Sequence, residues 1–235
     1  MVIFVLQASD GLIVATTDGE KIMEVLQFST MDEVNNFESE MVAKAKAAEA
    51  EQAKKNFEES KVEISGKGDT ASNGIPLKAG FAIFDGSHTG RSNFAVKLQD
   101  ESGNNLDLLV NEIGSYKGKT FAEIPTNGTY YLNISADGNW NFDIYQQAPV
   151  DIPTVPTNLQ GSGDDVVFFN SNSGNYKFSF THQGTSNFVI KLNGTGLMVN
   201  EIGVYNGSTR KQLKTDGVYL LSINADGAWS VNIEK

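Results

Sequence analysis

The chain has 235 residues, with 18 Lys and Arg against 29 Asp and Glu, a formal net charge of −11, and no cysteine. That length holds two ordinary domains, each able to bury a core of its own. The acidic balance argues against nucleic acid and anionic membrane surfaces, which select for positive patches. The missing cysteines exclude disulfides, thiol catalysis and cysteine-ligated zinc.

Residues 1–6 are apolar, but the run is too short for a signal peptide and has no basic start. Synthesis in the cytoplasm without a signal peptide is therefore expected. No stretch approaches the roughly 18 apolar residues of a membrane span, so no membrane insertion is expected either.

Residues 1 to about 30 read as a small β-meander with strands near 2–7, 12–17 and 22–28. Ser9-Asp10-Gly11 and Thr17-Asp18-Gly19 sit between them as hairpin signals. Thr30-Met31-Asp32-Glu33 then matches a capping box. No glycine or proline follows until about Ser60, which predicts a helix of roughly 30 residues, about 45 Å long. Val34, Phe37, Met41 and Ala45 form one thin apolar stripe, and the stretch 43–51 is rich in Ala, Lys and Glu. Such a segment is helical by propensity yet buries little. Residues 1–60 are expected to serve in self-association or anchoring, the alternative being a helix folded back over its own meander.

The remainder of the chain is a tandem duplicate. His88-Thr89-Gly90-Arg91-Ser92-Asn93-Phe94 recurs as His182-Gln183-Gly184-Thr185-Ser186-Asn187-Phe188. Leu109-Val110-Asn111-Glu112-Ile113-Gly114 recurs as Met198-Val199-Asn200-Glu201-Ile202-Gly203, and Ala136-Asp137-Gly138-Asn139-Trp140 as Ala225-Asp226-Gly227-Ala228-Trp229. The offset falls from 94 residues at the first motif to 89 at the others, so copy two is shortened opposite the Gln99–Leu106 loop. The repeats occupy 61–147 and 157–235, joined by a Pro-rich linker at 148–156 that reads as a short, semi-extended hinge.

Within each copy apolar and polar residues alternate. Tyr130, Leu132, Ile134 and Trp140, Phe142, Ile144 face one way, and Phe94, Val96, Leu98 do likewise. Alternation with Gly and Asx turns every 8 to 12 residues predicts about eight short strands per repeat and an antiparallel β-sandwich. The fold class is thus mainly β: two tandem sandwiches preceded by a small meander and a long helix. Ala136-Asp137-Gly138 and Ala225-Asp226-Gly227 are expected to close tight hairpins with positive φ. Trp140 and Trp229 are expected in the core.

The pattern G-x-Y-x-F-x-x-x-H-x-G-x-S-N-F, then L-V-N-E-I-G-x-Y-x-G, then G-x-Y-x-L-x-I-x-A-D-G-x-W resembles a small β-sandwich repeat of bacterial extracellular and phage-associated surface proteins. It covers 61–147 and 157–235 and leaves the first 60 residues unmatched. The resemblance implies a surface-exposed accessory or adhesive module, with no catalytic residues to carry over.

The only two histidines, His88 and His182, each precede a glycine turn beside Ser92-Asn93 or Ser186-Asn187. A serine hydrolase would need a strained turn at the serine, which is absent, so the imidazoles and the Asn93 and Asn187 amides are expected to bond nearby loop backbone. Glu112 is expected to accept from the Gly114–Gly118 turn. A calcium site of Asn, Glu and Asp137 or Asp226 lacks any loop of fixed spacing, and the acidic stretch 100–107 reads as a solvated hairpin tip. Tyr116 and Tyr205, in glycine-flanked turns, are the expected exposed aromatics.

The recognition positions chosen from the sequence are Tyr116, Tyr205, His88, His182, Asn93 and Asn187. Neither cofactor nor metal is expected. The reading is a non-enzymatic binding or structural protein: a phage virion fibre, decoration or tail accessory protein, carried on the virion or extracellular surface. Its expected partners are a capsid or tail protein and a cell-surface polysaccharide, a host glycan. The alternatives are a structural spacer, or a bacterial cell-envelope adhesin without a glycan ligand.

Overall fold

The computed structural model describes the backbone of residues 2–8, 11–17 and 22–235, and the side chains of 11–15 and 25–235. The chain divides into two compact units, Met1–Asn56 and Phe57–Lys235. Among the described residues no helix is long and apolar enough to cross a membrane.

In the first unit β1 (Val2–Ala8), β2 (Gly11–Thr17) and β3 (Ile22–Phe28) form an antiparallel meander in that order. The turn positions Asp10, Asp18 and Gly19 lie outside the described residues. The helix α1 (Met31–Glu59) opens with the expected capping box. Thr30 Oγ1 accepts from Glu33 N at 3.3 Å, while Glu33 Oε2 accepts from Ser29 N at 2.7 Å and Thr30 N at 3.3 Å. These bonds serve N–H groups that the first turn leaves without partners. The start of the helix packs on the meander: Val34, wholly buried, joins Leu12 and Val14, and the Phe28 and Phe37 rings stand 5.3 Å apart. From residue 42 to 49 every side chain is exposed, as the Ala/Lys/Glu composition predicts.

Repeat 1 contains nine strands: β4 (Val62–Lys67), β5 (Thr70–Ala71), β6 (Ile75–Leu77), β7 (Gly80–His88), β8 (Asn93–Gln99), β9 (Asn105–Ile113), β10 (Tyr116–Ile124), β11 (Gly128–Ser135) and β12 (Asn139–Tyr145). They form sheets ordered β10-β7-β12-β4 and β5-β11-β8-β9, with β6 also on β11. Repeat 2 contains eight: β13 (Thr157–Ser162), β14 (Asp165–Ser171), β15 (Gly174–Gln183), β16 (Asn187–Leu192), β17 (Gly196–Ile202), β18 (Tyr205–Leu213), β19 (Gly217–Ala225) and β20 (Ala228–Glu234). Its sheets run β13-β20-β15-β18 and β14-β19-β16-β17.

In each repeat the alternating apolar residues of the two sheets meet face to face. Phe84 and Phe142 of one sheet bury against Phe94, Leu98 and Leu132 of the other, and Phe178, Val231, Phe188 and Leu221 do the same in repeat 2. Both are antiparallel β-sandwiches, as the period-two pattern requires. Trp140 and Trp229 are core residues, and each indole N–H donates to a turn carbonyl, Gly68 O at 3.2 Å and Gly163 O at 3.0 Å. Their rings lie against Gly66 and Gly161, where any Cβ would collide with the indole.

The Asp-Gly turns differ from expectation. Strands β11 and β12 lie in opposite sheets, as do β19 and β20, so Asp137-Gly138 and Asp226-Gly227 are arches between sheets and not hairpins. Neither Gly138 nor Gly227 has positive φ. Glycine is required there for close approach: a Cβ on Gly138 or Gly227 would stand 2.5 Å from the carbonyl of Thr89 or Gln183.

The β8–β9 hairpin, the longer loop of copy one, is an exposed tip. Asp100 Oδ1 closes it by accepting from Ser102 N and Asn104 N at 2.9 and 2.8 Å. The proline segment is held rather than free. Val155 N donates to Asn170 O and Asn170 N to Pro153 O, at 2.9 and 2.8 Å, while Ala148 and Ile152 pack into an apolar cluster shared by both repeats.

Gly161→Ala should overpack the Trp229 contact and lower the stability of repeat 2 by about 1–3 kcal/mol, seen as an earlier midpoint in chemical denaturation.

Candidate functional site

The histidine motif builds a corner twice over. His88 ends β7, His182 is the last residue but one of β15, and they are only 1% and 0% exposed. Each ring stacks on the phenylalanine that follows, Phe94 at 4.3 Å and Phe188 at 4.5 Å. Nδ1 donates to a turn carbonyl, Gly114 O at 2.8 Å and Gly203 O at 2.7 Å. Nε2 faces Asp137 Oδ1 at 3.4 Å and Asp226 Oδ1 at 3.3 Å.

Those carboxylates tie the arches together. Asp137 accepts from the backbone N–H of Arg91 and Ser92, and Asp226 from Thr185 N, Ser186 N and Thr185 Oγ1. The Arg91 and Thr185 donors hold the two carboxyls below the usual carboxylate range. The serine thus meets the aspartate through its backbone nitrogen. The imidazoles bond loop backbone as expected, and their burial keeps them from a surface ligand.

Asn93 and Asn187 are exposed at the start of β8 and β16. Among the described residues their amides make no bond to loop backbone, contrary to expectation. The expected bond from the Gly114–Gly118 turn to Glu112 is likewise absent among them.

The tyrosines are packed inward rather than displayed. Tyr116 and Tyr205 open β10 and β18, lie 5.7 and 5.9 Å from Phe94 and Phe188, and cover Gly118 and Gly207. Tyr116 is 9% exposed, and its hydroxyl donates to Asp164 Oδ2 at 3.1 Å. Tyr205 is half-buried, and among the described residues its hydroxyl has no hydrogen-bond partner.

Asp164 was not singled out by sequence, yet it joins the repeats. It sits in the turn between β13 and β14. Oδ1 accepts from Asn224 Nδ2 at 2.8 Å and Ala225 N at 3.1 Å, Oδ2 from Tyr116, and its backbone oxygen from Lys119 N of the β10 edge at 3.0 Å. The Lys119–Asp165 ion pair, at 3.4 Å, lies alongside. Burial pushes the Asp164 carboxyl up, although its donors oppose the shift, and burial with Asp164 beside it pushes the Tyr116 hydroxyl up. Around this polar centre Ile83 of repeat 1 buries against Val166, Phe168 and Leu220 of repeat 2, flanked by Phe81, Phe121 and Tyr145.

Beside the junction lies a cleft of about 410 Å³ between the β9 edge of repeat 1 and the outer face of β16 and β19. Asn111 and Glu112 line it from β9, Asn187 and Lys191 from β16, Asn224 from β19, and Asp164 from the turn between β13 and β14. Of the residues chosen from sequence, only Asn187 reaches it. Burial, and then Asp164 and Asp226, push the Glu112 carboxyl up. Among the described residues no group of three or more His, Asp or Glu could hold a metal ion.

No protein-family model matches this sequence, and no curated protein matches it. Solved structures of similar shape include a conserved protein of unknown function from Pseudomonas aeruginosa PAO1, 10% identical, with 74% of this chain and 79% of that one covered and a TM-score of 0.23. Another is the N-terminal CBM22-1–CBM22-2 tandem domain of Xyn10C from Paenibacillus barcinonensis, 10% identical, with 73% and 86% covered and a TM-score of 0.26. At such scores neither likeness carries an argument. The resemblance to surface-protein repeats keeps its structural half, the β-sandwich, with no family model to specify it further.

Tyr116→Phe leaves an Asp164 oxygen short of a donor and should cost about 1–3 kcal/mol. Tyr205→Phe, the same change without that partner, should cost about 0.5 kcal/mol or less; urea denaturation of both variants compares them. The raised Asp164 carboxyl contributes stability that is full below its ordinary value of 3.8 and is lost as pH rises through the folded-state value. Asp164→Asn should therefore flatten the pH dependence of stability above 3.8, as read from melting temperatures across an acid series.

Proposed function

We propose that this chain is a non-enzymatic binding protein that takes a surface glycan into the cleft between its two β-sandwiches. The observation that carries the reading is the convergence of amide and carboxylate side chains from both repeats on one polar cavity. Asn111, Glu112, Asn187 and Asn224 offer donors and acceptors in planar groups, which suit the paired hydroxyls of a sugar ring. The cavity, about 410 Å³, falls within the size range of small-ligand sites.

Display on a phage virion, as a fibre, decoration or tail accessory protein, fits a chain whose duplicated modules follow a helix with a long uncovered stretch. In that reading residues 1–60 attach to a capsid or tail protein, or to further copies of the chain. The second reading is a spacer without a ligand. It is favoured by the packing of both histidine corners and both tyrosines, which spends most of the residues shared by the copies on structure.

Calorimetric titration with tetrasaccharides of glucose, N-acetylglucosamine and rhamnose separates the two. The glycan reading expects at least one to bind, and Asn187→Ala with Asn224→Ala to weaken it about tenfold or more, two hydrogen-bonding groups being lost. His88→Ala should lower the melting temperature and leave the affinity of the folded fraction unchanged. A chain that binds none of them and does not adhere to cells is a spacer.

A further inference from the structure

The outer face of the sheet that forms the cleft wall is duplicated along with everything else. In repeat 2, β16 lies between β17 and β19, and the register places Asn224, Val189 and Asn200 in one row and Ser222 with Lys191 in the next, with Asn187 beyond. In repeat 1, β8 lies between β9 and β11. The matching rows read Ser135, Ala95, Asn111, then Asn133 with Lys97, with Asn93 beyond. The lysine and two asparagines are identical, and the Asn/Ser pair on the third strand is kept with its members exchanged.

Packing does not require this array. In repeat 1 Asn93, Lys97, Asn111, Asn133 and Ser135 are all exposed, and among the described residues none has a hydrogen-bond or ion-pair partner. Elsewhere on the faces of the sandwiches some outward polar side chains do pair, Gln99 with Asn105 on this same sheet at 2.9 Å and others on the opposite sheet. Ser87 bonds Asn141, Thr181 bonds Ser230 at 2.6 Å, and Lys177 meets Glu234 at 3.1 Å. In repeat 1 these exposed side chains hold their donors and acceptors free, whereas in repeat 2 the Asn224 amide also donates to Asp164.

From this we infer that the outer face of β11, β8 and β9 in repeat 1 is a second glycan site, taking the same polyhydroxylated ligand as the cleft through Asn93, Lys97, Asn133 and Ser135. The inference rests on the glycan reading of the cleft. The second site is open where the cleft is walled by the neighbouring repeat, so it excludes less water and binds more weakly. One chain therefore carries two unequal sites, and a polymer presenting many copies of the sugar is held by both at once.

The test is calorimetric titration of the full chain with the same three tetrasaccharides, followed by two double variants. The expected result is two equivalents bound per chain with affinities about tenfold or more apart. Lys97→Ala with Asn133→Ala should remove the weaker equivalent, and Asn187→Ala with Asn224→Ala the stronger. All four positions are exposed, so both variants fold; the melting temperature stays unchanged for the repeat 1 variant and falls slightly for the other, because Asn224 also donates to Asp164. A single equivalent, indifferent to the repeat 1 substitutions and lost with those in repeat 2, overturns the second site and leaves the cleft reading standing. Binding of none of the three overturns both.

Discussion

The carboxylate of Asp164 accepts hydrogen bonds from both sandwiches at once, from Tyr116 in the first and from Asn224 and Ala225 in the second, and the geometry of the cleft follows from it. A carboxylate withdrawn from water is costly unless its oxygens are bonded, and here each oxygen has a protein donor. The same turn gives its backbone oxygen to the open edge of β10. An exposed strand edge that would otherwise invite other chains is thus partly closed by the neighbouring repeat.

The junction is used only once, and the residues around it explain why. Asp69 is the counterpart of Asp164 and makes the same internal bond, to Ala136 N at 2.8 Å. Tyr205 is the counterpart of Tyr116. The polar half of the junction therefore survives at both free ends of the tandem. The apolar half does not: Phe81, Ile83 and Phe121 of repeat 1 correspond to Asn175, Lys177 and Arg210 in repeat 2. Polar outer faces on terminal repeats are how stacked modules stop stacking.

The two sandwiches, the capping box of the helix and the buried tryptophans were legible because they depend on local periodicity and turn chemistry. Alternation over Tyr130–Ile134 and Trp140–Ile144 marks strands whatever sheet they join. It does not say which sheet, so Asp137-Gly138 reads as a hairpin in sequence and is an arch in space. The site was less legible for a related reason. Asp69 and Asp164 look alike in sequence, and only the contact between repeats gives the second a tyrosine. Glycine-flanked Tyr116 looks like an exposed loop aromatic, but Gly118 is there to let the ring lie down. His88 and His182, chosen for their chemistry, hold corners, while Asn187 reaches the cleft because it begins the strand that walls it.

If the cleft is where this protein meets its ligand, the backbone resonances around it must respond to that ligand. Nuclear magnetic resonance of the isotope-labelled chain, titrated with the tetrasaccharide that binds best, tests this directly. The account predicts that the largest shift changes fall on the amides of Asn111, Glu112, Asn187, Lys191 and Asn224, with a smaller set on β8 and β11 of repeat 1. Changes confined to the Tyr205 edge of repeat 2, or spread over residues 1–60 with the cleft silent, would contradict it.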